Sequence, residues 1–205
     1  MSGGWNGSSV PNWRTLLVKF FLIALALLIA WAPFSHAYLW LLYAVGQPAF
    51  LLPDWSVQVI MEQGALKFLV PLPTGNPLHF TVGDIEEVFL NIVLLIALYG
   101  AVFRRPAGGW MRSFAISGLA LLCVHALLLI LYAATSLPNL LATSGIPGGI
   151  EAAATIQHAL PGPIMALAQP LLFHWHAWGW DVLPLLLWLP VSGLGAIYKS
   201  YRGAT

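Results

Sequence analysis

Charged residues are scarce in this chain, and their scarcity excludes most soluble folds. Lysine, arginine, aspartate and glutamate make up 7% of the 205 residues, whereas hydrophobic residues make up 60%. An ordinary soluble domain has roughly 25% charged residues. The composition therefore predicts a polytopic membrane protein. The formal net charge of +1 also excludes a large basic face for nucleic acid, because neutralising phosphates requires clustered lysine and arginine.

The chain also has few cysteines and lacks common catalytic motifs. Its single cysteine, Cys123, excludes an internal disulfide and any CxxC motif. The motifs GxSxG and HExxH, the P-loop and the glycine-rich dinucleotide fingerprint are missing. The N-terminal residues lack the basic region and short apolar core of a cleaved signal peptide, so the first apolar segment is predicted to remain as an anchor. The sequence thus favours a protein that is not an enzyme.

Four apolar segments are predicted to cross the membrane, since each approaches the roughly 20 residues that the hydrocarbon layer requires. They cover residues 14–34, 84–103, 113–136 and 180–198. Residues 35–53 predict a kinked helix in the outer leaflet, in which Tyr38, Trp40 and Tyr43 form an aromatic belt. The remaining parts are tails 1–13 and 199–205, a short loop 104–112 and a helical loop 137–179.

The charges predict how these segments are oriented. The loop 104–112 holds Arg104, Arg105 and Arg112, which the positive-inside rule places in the cytoplasm. Residues 54–87 carry five carboxylates against one cation, and residues 137–179 contain no lysine or arginine. Both segments are therefore predicted outside, with both termini in the cytoplasm. The predicted location is the inner membrane of a bacterium.

Residues 54–83 read as a small β meander outside the membrane. Trp55, Val57 and Val59 alternate with more polar neighbours, which is the period of a half-buried strand. Residues 62–64 supply a turn, LKFLV is a second strand, and LHFTV is a third after the breaker PLPTGNP. The predicted fold class is an all-α polytopic membrane protein of four transmembrane helices with a small extracytoplasmic β meander.

His125 lies near the middle of the third predicted span. An ionisable side chain inside a membrane is a functional hypothesis by default, so His125 is a candidate ligand for a pigment or a haem, or a proton relay. The alternative is that a neutral His125 hydrogen-bonds to a neighbouring helix, with Asn91 as a possible partner. His125 lies two positions after Cys123, which puts the pair on opposing helix faces and excludes a local Cys/His dyad.

A second group of histidines lies outside the predicted spans. His174 and His176 are two residues apart and would share a face in an extended segment. With His158 they form a candidate three-nitrogen site for copper or zinc. The alternative is that this tryptophan-rich and histidine-rich patch belongs to a membrane interface.

The layout resembles the small integral membrane proteins associated with exosortases in Gram-negative bacteria. The resemblance is carried by WAPF at residues 31–34, VQVIMEQGALKFLV at 57–70, RRP at 104–106 and VLPLLLWLP at 182–190. Exosortases use a Cys, an Arg and a His that face the outside. This chain differs, because its cysteine is predicted inside the membrane and no arginine is predicted outside. The resemblance implies an accessory protein rather than the transpeptidase.

Two functional hypotheses follow. The first is a non-enzymatic accessory or scaffold subunit that docks on a larger membrane protein complex through its extracytoplasmic face, with lipid and integral membrane proteins as partners. An apolar outer surface supports it, since such surfaces associate with protein or lipid. The alternative is a metal-binding, pigment-binding or haem-binding membrane protein that uses its histidines. A membrane enzyme or transporter is least favoured, because no charge pairs lie within the predicted spans.

Overall fold

The computed structural model describes residues 13–51, 55–82, 85–102, 108–159, 162–175 and 180–189. It is mostly helical and contains one small sheet. The helices are α1 Trp13–Ile29, α2 Trp31–Gly46, α3 Ile85–Val102, α4 Gly108–Thr143, α5 Gly149–His158, α6 Gly162–His174 and α7 Trp180–Trp188. A 3₁₀ helix, Gln47–Leu51, follows α2, and the strands are β1 Gln58–Glu62, β2 Ala65–Val70 and β3 Leu78–Thr81.

The long helix α4 is the element on which most of the others pack. It has 36 residues, contacts α2, α3, α5, α6 and α7, and contains Pro138 near its C-terminal end. Its side chains alternate between buried and exposed, with Leu121, Leu129 and Leu137 in the interior. Helix α1 packs mainly on α3, where Gly100 allows close approach: a Cβ atom there would lie 2.7 Å from Ile23 Cδ1.

The prediction of four transmembrane helices is wrong. Among the described residues, one helix is long and apolar enough to cross a membrane, and it is Met111–Thr143 within α4. A second is reached only by counting the bent pair Arg14–Ile29 and Pro33–Leu51 as one broken span. The predicted span 113–136 therefore coincides with the one qualifying helix, and the other three do not.

The other three predicted spans do not qualify, and the reason differs for each of them. The predicted span 14–34 ends early, because Pro33 has no N–H to donate to the carbonyl of Ile29, and the chain bends by 84° between α1 and α2. In α3, the apolar helix counted from the described side chains is Leu90–Ala101, which is shorter than a span requires. Helix α7 has nine residues, and residues 190–198 of the fourth predicted span lie outside the described part of the chain.

The predicted meander is present as a three-stranded antiparallel sheet in the order β1-β2-β3. Its register pairs Val59 with Phe68 and Phe68 with Phe80, so one face is apolar. Trp55, Val57 and Val59 are buried, as their alternation predicts. The β1–β2 connection is the two-residue loop Gln63–Gly64 with φ of 53° and 77°. Positive φ at both loop residues is the signature of the type I′ turn that fits the twist of a hairpin.

The sheet and α5 together form a cap on the C-terminal half of α4. Aromatic rings join the sheet to the helices: Phe68 lies 5.9 Å from Phe50 and 6.2 Å from Tyr132 of α4, between ring centroids. Helix α5 approaches α4 so closely that a Cβ atom on Gly149 would lie 2.6 Å from the carbonyl oxygen of Leu141. The buried residues of the cap, α2, α3 and α4 belong to one hydrophobic cluster. The cap is therefore part of the folded core.

Candidate functional site

His125 is buried in the centre of the helices, with 1% of its surface exposed. Its Nδ1 atom lies 2.5 Å from the hydroxyl oxygen of Tyr38 on α2, and the two rings meet edge to face. The ring of Trp175, at the end of α6, stands 6.0 Å away on another side. His125 thus connects α4 to α2 by a hydrogen bond and to the end of α6 by an aromatic contact.

The second ring nitrogen of His125 has no hydrogen-bond partner among the residues that the structure describes. A neutral imidazole carries one N–H, so when Nδ1 accepts from the Tyr38 hydroxyl, Nε2 holds the proton. Among the described residues, no acceptor lies within hydrogen-bond distance of the buried Nε2. Within the described part of the chain, this buried nitrogen is therefore unsatisfied, and buried polar atoms in folded proteins usually have a partner.

The expected partner Asn91 does not reach His125. Asn91 lies on α3 and is fully buried, and neither its amide oxygen nor its amide nitrogen has a partner among the described residues. Tyr38, which the sequence placed in an aromatic belt, is the residue that bonds His125 instead. Helical spacing could have predicted that Tyr38 is buried. One face of α2 carries Ser35, Tyr38, Leu42 and Gly46, and all four are buried.

The packing around His125 bears on the predicted pigment or haem ligand. An axial ligand must present a ring nitrogen to a space large enough for a macrocycle. Nε2 is enclosed by protein atoms, and the rings of Trp175 and His125 meet edge to face. A groove between α2, α3 and α4 is lined by Tyr38 but not by His125. The ligand role of His125 stays a prediction, and it requires this packing to open.

The predicted copper or zinc site is only partly covered by the structure. His158 is exposed at the C-terminal end of α5. Helix α6 ends at His174, but the side chain of His174 and the whole of His176 lie outside the described residues. Within the described part of the chain, no group of three or more His, Cys, Asp or Glu residues is placed to hold a metal ion. The three-histidine site stays a prediction.

The outer face of the sheet carries a small ionic cluster. Glu62 Oε2 accepts a hydrogen bond from Lys67 Nζ at 2.9 Å and lies 3.1 Å from Nδ1 of His79. The hydrogen bond from Lys67, and secondarily the contact with His79, holds the pKa of Glu62 below its ordinary value. All three side chains reach solvent, so the cluster resembles an ordinary surface ion pair more than an acid/base site.

Cys123 agrees with the expectation that it forms no pair with His125. The thiol is exposed on the surface of α4, whereas His125 is buried on the opposing side.

No protein-family model, curated protein sequence or solved structure matches this chain.

Proposed function

We propose that this protein is a non-enzymatic accessory subunit of a bacterial inner membrane, which docks on a larger membrane protein through its cap. Helix α4 supports the membrane location, because Met111–Thr143 has the length and apolarity of a span. Arg112 lies at the N-terminal end of α4, and the cap packs on its C-terminal half. The positive-inside rule then places the cap on the extracytoplasmic side.

The observation that carries the docking role is an apolar surface on a firmly packed cap. Ile150 on α5 is 71% exposed, and Leu51, in the 3₁₀ helix beside the sheet, is 70% exposed. Both belong to segments whose other side chains are anchored: Phe50 stacks on Trp55 at 4.8 Å, and Ile156 of α5 is fully buried. Apolar side chains held rigidly at a surface are characteristic of contacts with protein or lipid.

The resemblance to exosortase-associated membrane proteins supports the same role and suggests the kind of partner. A partner of that class is itself an integral membrane protein with an extracytoplasmic face. Docking through the cap brings the two outer faces together and leaves the helices in contact with lipid. In this proposal the protein positions or stabilises its partner and performs no chemistry.

Site-specific photo-crosslinking in cells tests the docking role. A photo-reactive amino acid at Ile150 or Gln58 places the probe on the cap, and the same residue at Leu25, on the exposed face of α1, is the control. We expect one discrete protein adduct from the cap positions, absent from Leu25 and competed by untagged wild-type protein. Smears of equal intensity from all three positions contradict docking through the cap.

Cysteine labelling tests the location and orientation. In a Cys123→Ser background, Thr74→Cys places a thiol on the cap and Arg112→Cys places one at the opposite end of α4. An impermeant maleimide added to the outside of intact cells or spheroplasts is expected to label position 74 alone. Labelling of position 112 alone reverses the orientation, and solubility in alkaline carbonate removes the membrane assignment altogether.

One observation favours the alternative of a cofactor-binding membrane protein, namely that the buried Nε2 of His125 has no partner among the described residues. Purified protein with visible absorbance that is lost in His125→Leu supports this alternative. Stoichiometric copper or zinc that is lost in His174→Ala supports the metal site formed with His158 and His176. A colourless and metal-free preparation that still forms the cap crosslink favours the accessory role.

A further inference from the structure

A groove of about 340 Å³ lies between α2, α3 and α4, beside the N-terminal half of α4. Each of the three helices contributes aliphatic or aromatic side chains, and among the described residues Tyr38 is the only one in the lining whose side chain has a polar group. The lining residues are Phe34, Tyr38, Leu41, Ile92, Leu95, Ile96, Phe114, Ala115, Gly118, Leu119, Leu121 and Leu122. A surface of this composition has no groups to orient a polar ligand, so its occupant is a hydrocarbon chain.

The groove is open beside Gly118, which is one of its lining residues. A Cβ atom built on Gly118 would meet nothing within 4 Å. The groove is also open at its surface, because Leu41 and Leu119 are both more than half exposed. A chain that lies along α4 can therefore enter from the side without any movement of the helices.

A positive charge near one end of the groove indicates which lipid headgroup the hydrocarbon chain carries. Arg112, Ala115, Leu119 and Leu122 recur on one face of α4, and the last three line the groove. Arg112 therefore continues the same face one turn beyond the groove, towards the helix N-terminus. Its side chain is exposed and forms no ion pair with any described residue.

The distances match a lipid that stands parallel to α4. The helix rises 1.5 Å per residue, so Arg112 and Leu122 are separated by roughly 15 Å along its axis. An acyl chain that fills the groove thus carries its headgroup phosphate to the level of Arg112. Guanidinium groups bind phosphate through paired, charge-assisted hydrogen bonds, which gives the site a preference for an anionic headgroup.

We propose that the groove between α2, α3 and α4 binds one acyl chain of an anionic phospholipid whose phosphate contacts Arg112. The proposal rests on the membrane location proposed above and adds to it a specific lipid site. The site is formed jointly by α2, α3 and α4, so a bound chain would contact all three helices. A bound lipid then acts as a structural part of the membrane region.

Native mass spectrometry of the full chain in detergent tests the site. Phosphatidylglycerol and phosphatidylcholine with identical acyl chains are titrated separately, and the fraction of protein carrying one lipid is measured. We expect phosphatidylglycerol to bind about fivefold more tightly, the contribution of one basic side chain to an anionic headgroup. Arg112→Gln removes this preference and leaves binding of phosphatidylcholine unchanged, whereas Lys19→Gln, on exposed α1, alters neither lipid.

A second variant tests the groove itself. Gly118→Leu fills the space and removes the one-lipid adduct for both headgroups. Gly162→Leu adds the same side chain on α6, where a Cβ atom also meets nothing within 4 Å, and it retains wild-type binding. If circular dichroism shows that Gly118→Leu does not fold, Ala115→Phe fills the same groove from its exposed side.

Two outcomes overturn the proposal. Equal affinity for the two lipids in the wild type removes the role of Arg112, and an unchanged adduct in the folded groove-filling variant removes the groove. Alkaline carbonate extraction separates these results from failure of the membrane location. A chain that stays in the membrane pellet but shows no lipid preference refutes this site alone, and a chain that is extracted refutes both.

Discussion

Substituting Tyr38 with phenylalanine tests how the buried histidine is held. The change removes only the hydroxyl that bonds Nδ1 of His125 and keeps the ring that packs against it. His125 would then be buried with neither ring nitrogen bonded to the described residues. Leaving a buried polar group without its partner costs about 1–3 kcal/mol. In a chain of this size, 2 kcal/mol lowers the melting midpoint by roughly 4–8 °C.

The assay is unfolding in detergent followed by circular dichroism, arranged as a double-mutant cycle. Tyr43→Phe is the control, because Tyr43 is a half-buried tyrosine on the same helix, and it is expected to change stability by less than about 0.5 kcal/mol. In a His125→Leu background, Tyr38→Phe should cost less than in the wild type by a coupling energy of about 1 kcal/mol or more. If Tyr38→Phe costs the same in both backgrounds, the hydrogen bond does not hold His125, and the reasoning about this contact fails.

Three further predictions concern other parts of the fold. Gly149→Ala should destabilise by about 1–3 kcal/mol in the same unfolding assay, because its Cβ atom would collide with a backbone carbonyl of α4, while Gly162→Ala should be neutral. Asn91→Leu should raise stability by about 1–3 kcal/mol, since it removes an amide that is buried without partners among the described residues. A loss of stability instead would reveal an unseen partner for that amide. The third prediction concerns pH: Glu62 stabilises the fold above its ordinary pKa of 4.5, and the contribution is lost as the pH falls through its lower folded-state pKa. Glu62→Gln should flatten the pH dependence of unfolding in this range, and an unaltered dependence would assign it to other carboxyl groups.

The sheet was predictable because its information is local. Alternation of Trp55, Val57 and Val59 with polar neighbours fixes which face is buried, and Gly64 permits the left-handed backbone of the turn. These signals act over a few residues and do not depend on the rest of the fold. The structure has the three predicted strands, with β1 offset to Gln58–Glu62 from the alternating run at residues 55–60.

The number of spans was harder to predict because apolarity does not show where a helix stops. The run from α1 into α2 is continuous in composition, yet Pro33 and the 84° bend divide it into two helices with different neighbours. Tyr38 illustrates the same limit. Its amphipathic side chain fits an interface as well as a buried hydrogen bond, and only the arrangement of α2 against α4 decides between them.

The groove was not predicted at all, because it is made of residues that look identical to the core. Leu95 and Leu122 are ordinary apolar helix residues, and the space beside them depends on how three helices are spaced. The absence of a side chain at Gly118 is the one local sign of that space. Sequence periodicity identifies a buried face, but it does not show whether the face is fully covered.

The length of α4 has a mechanical consequence. A helix of 36 residues is roughly 54 Å long, and the hydrocarbon layer is about 30 Å thick. If α4 crosses a bilayer upright as proposed, roughly 24 Å of it extends beyond the hydrocarbon layer into the headgroup regions and the water. Tilting α4 moves the sheet and Arg112 in opposite directions. A partner that pulls on one end of the helix would therefore displace the other end in the opposite leaflet.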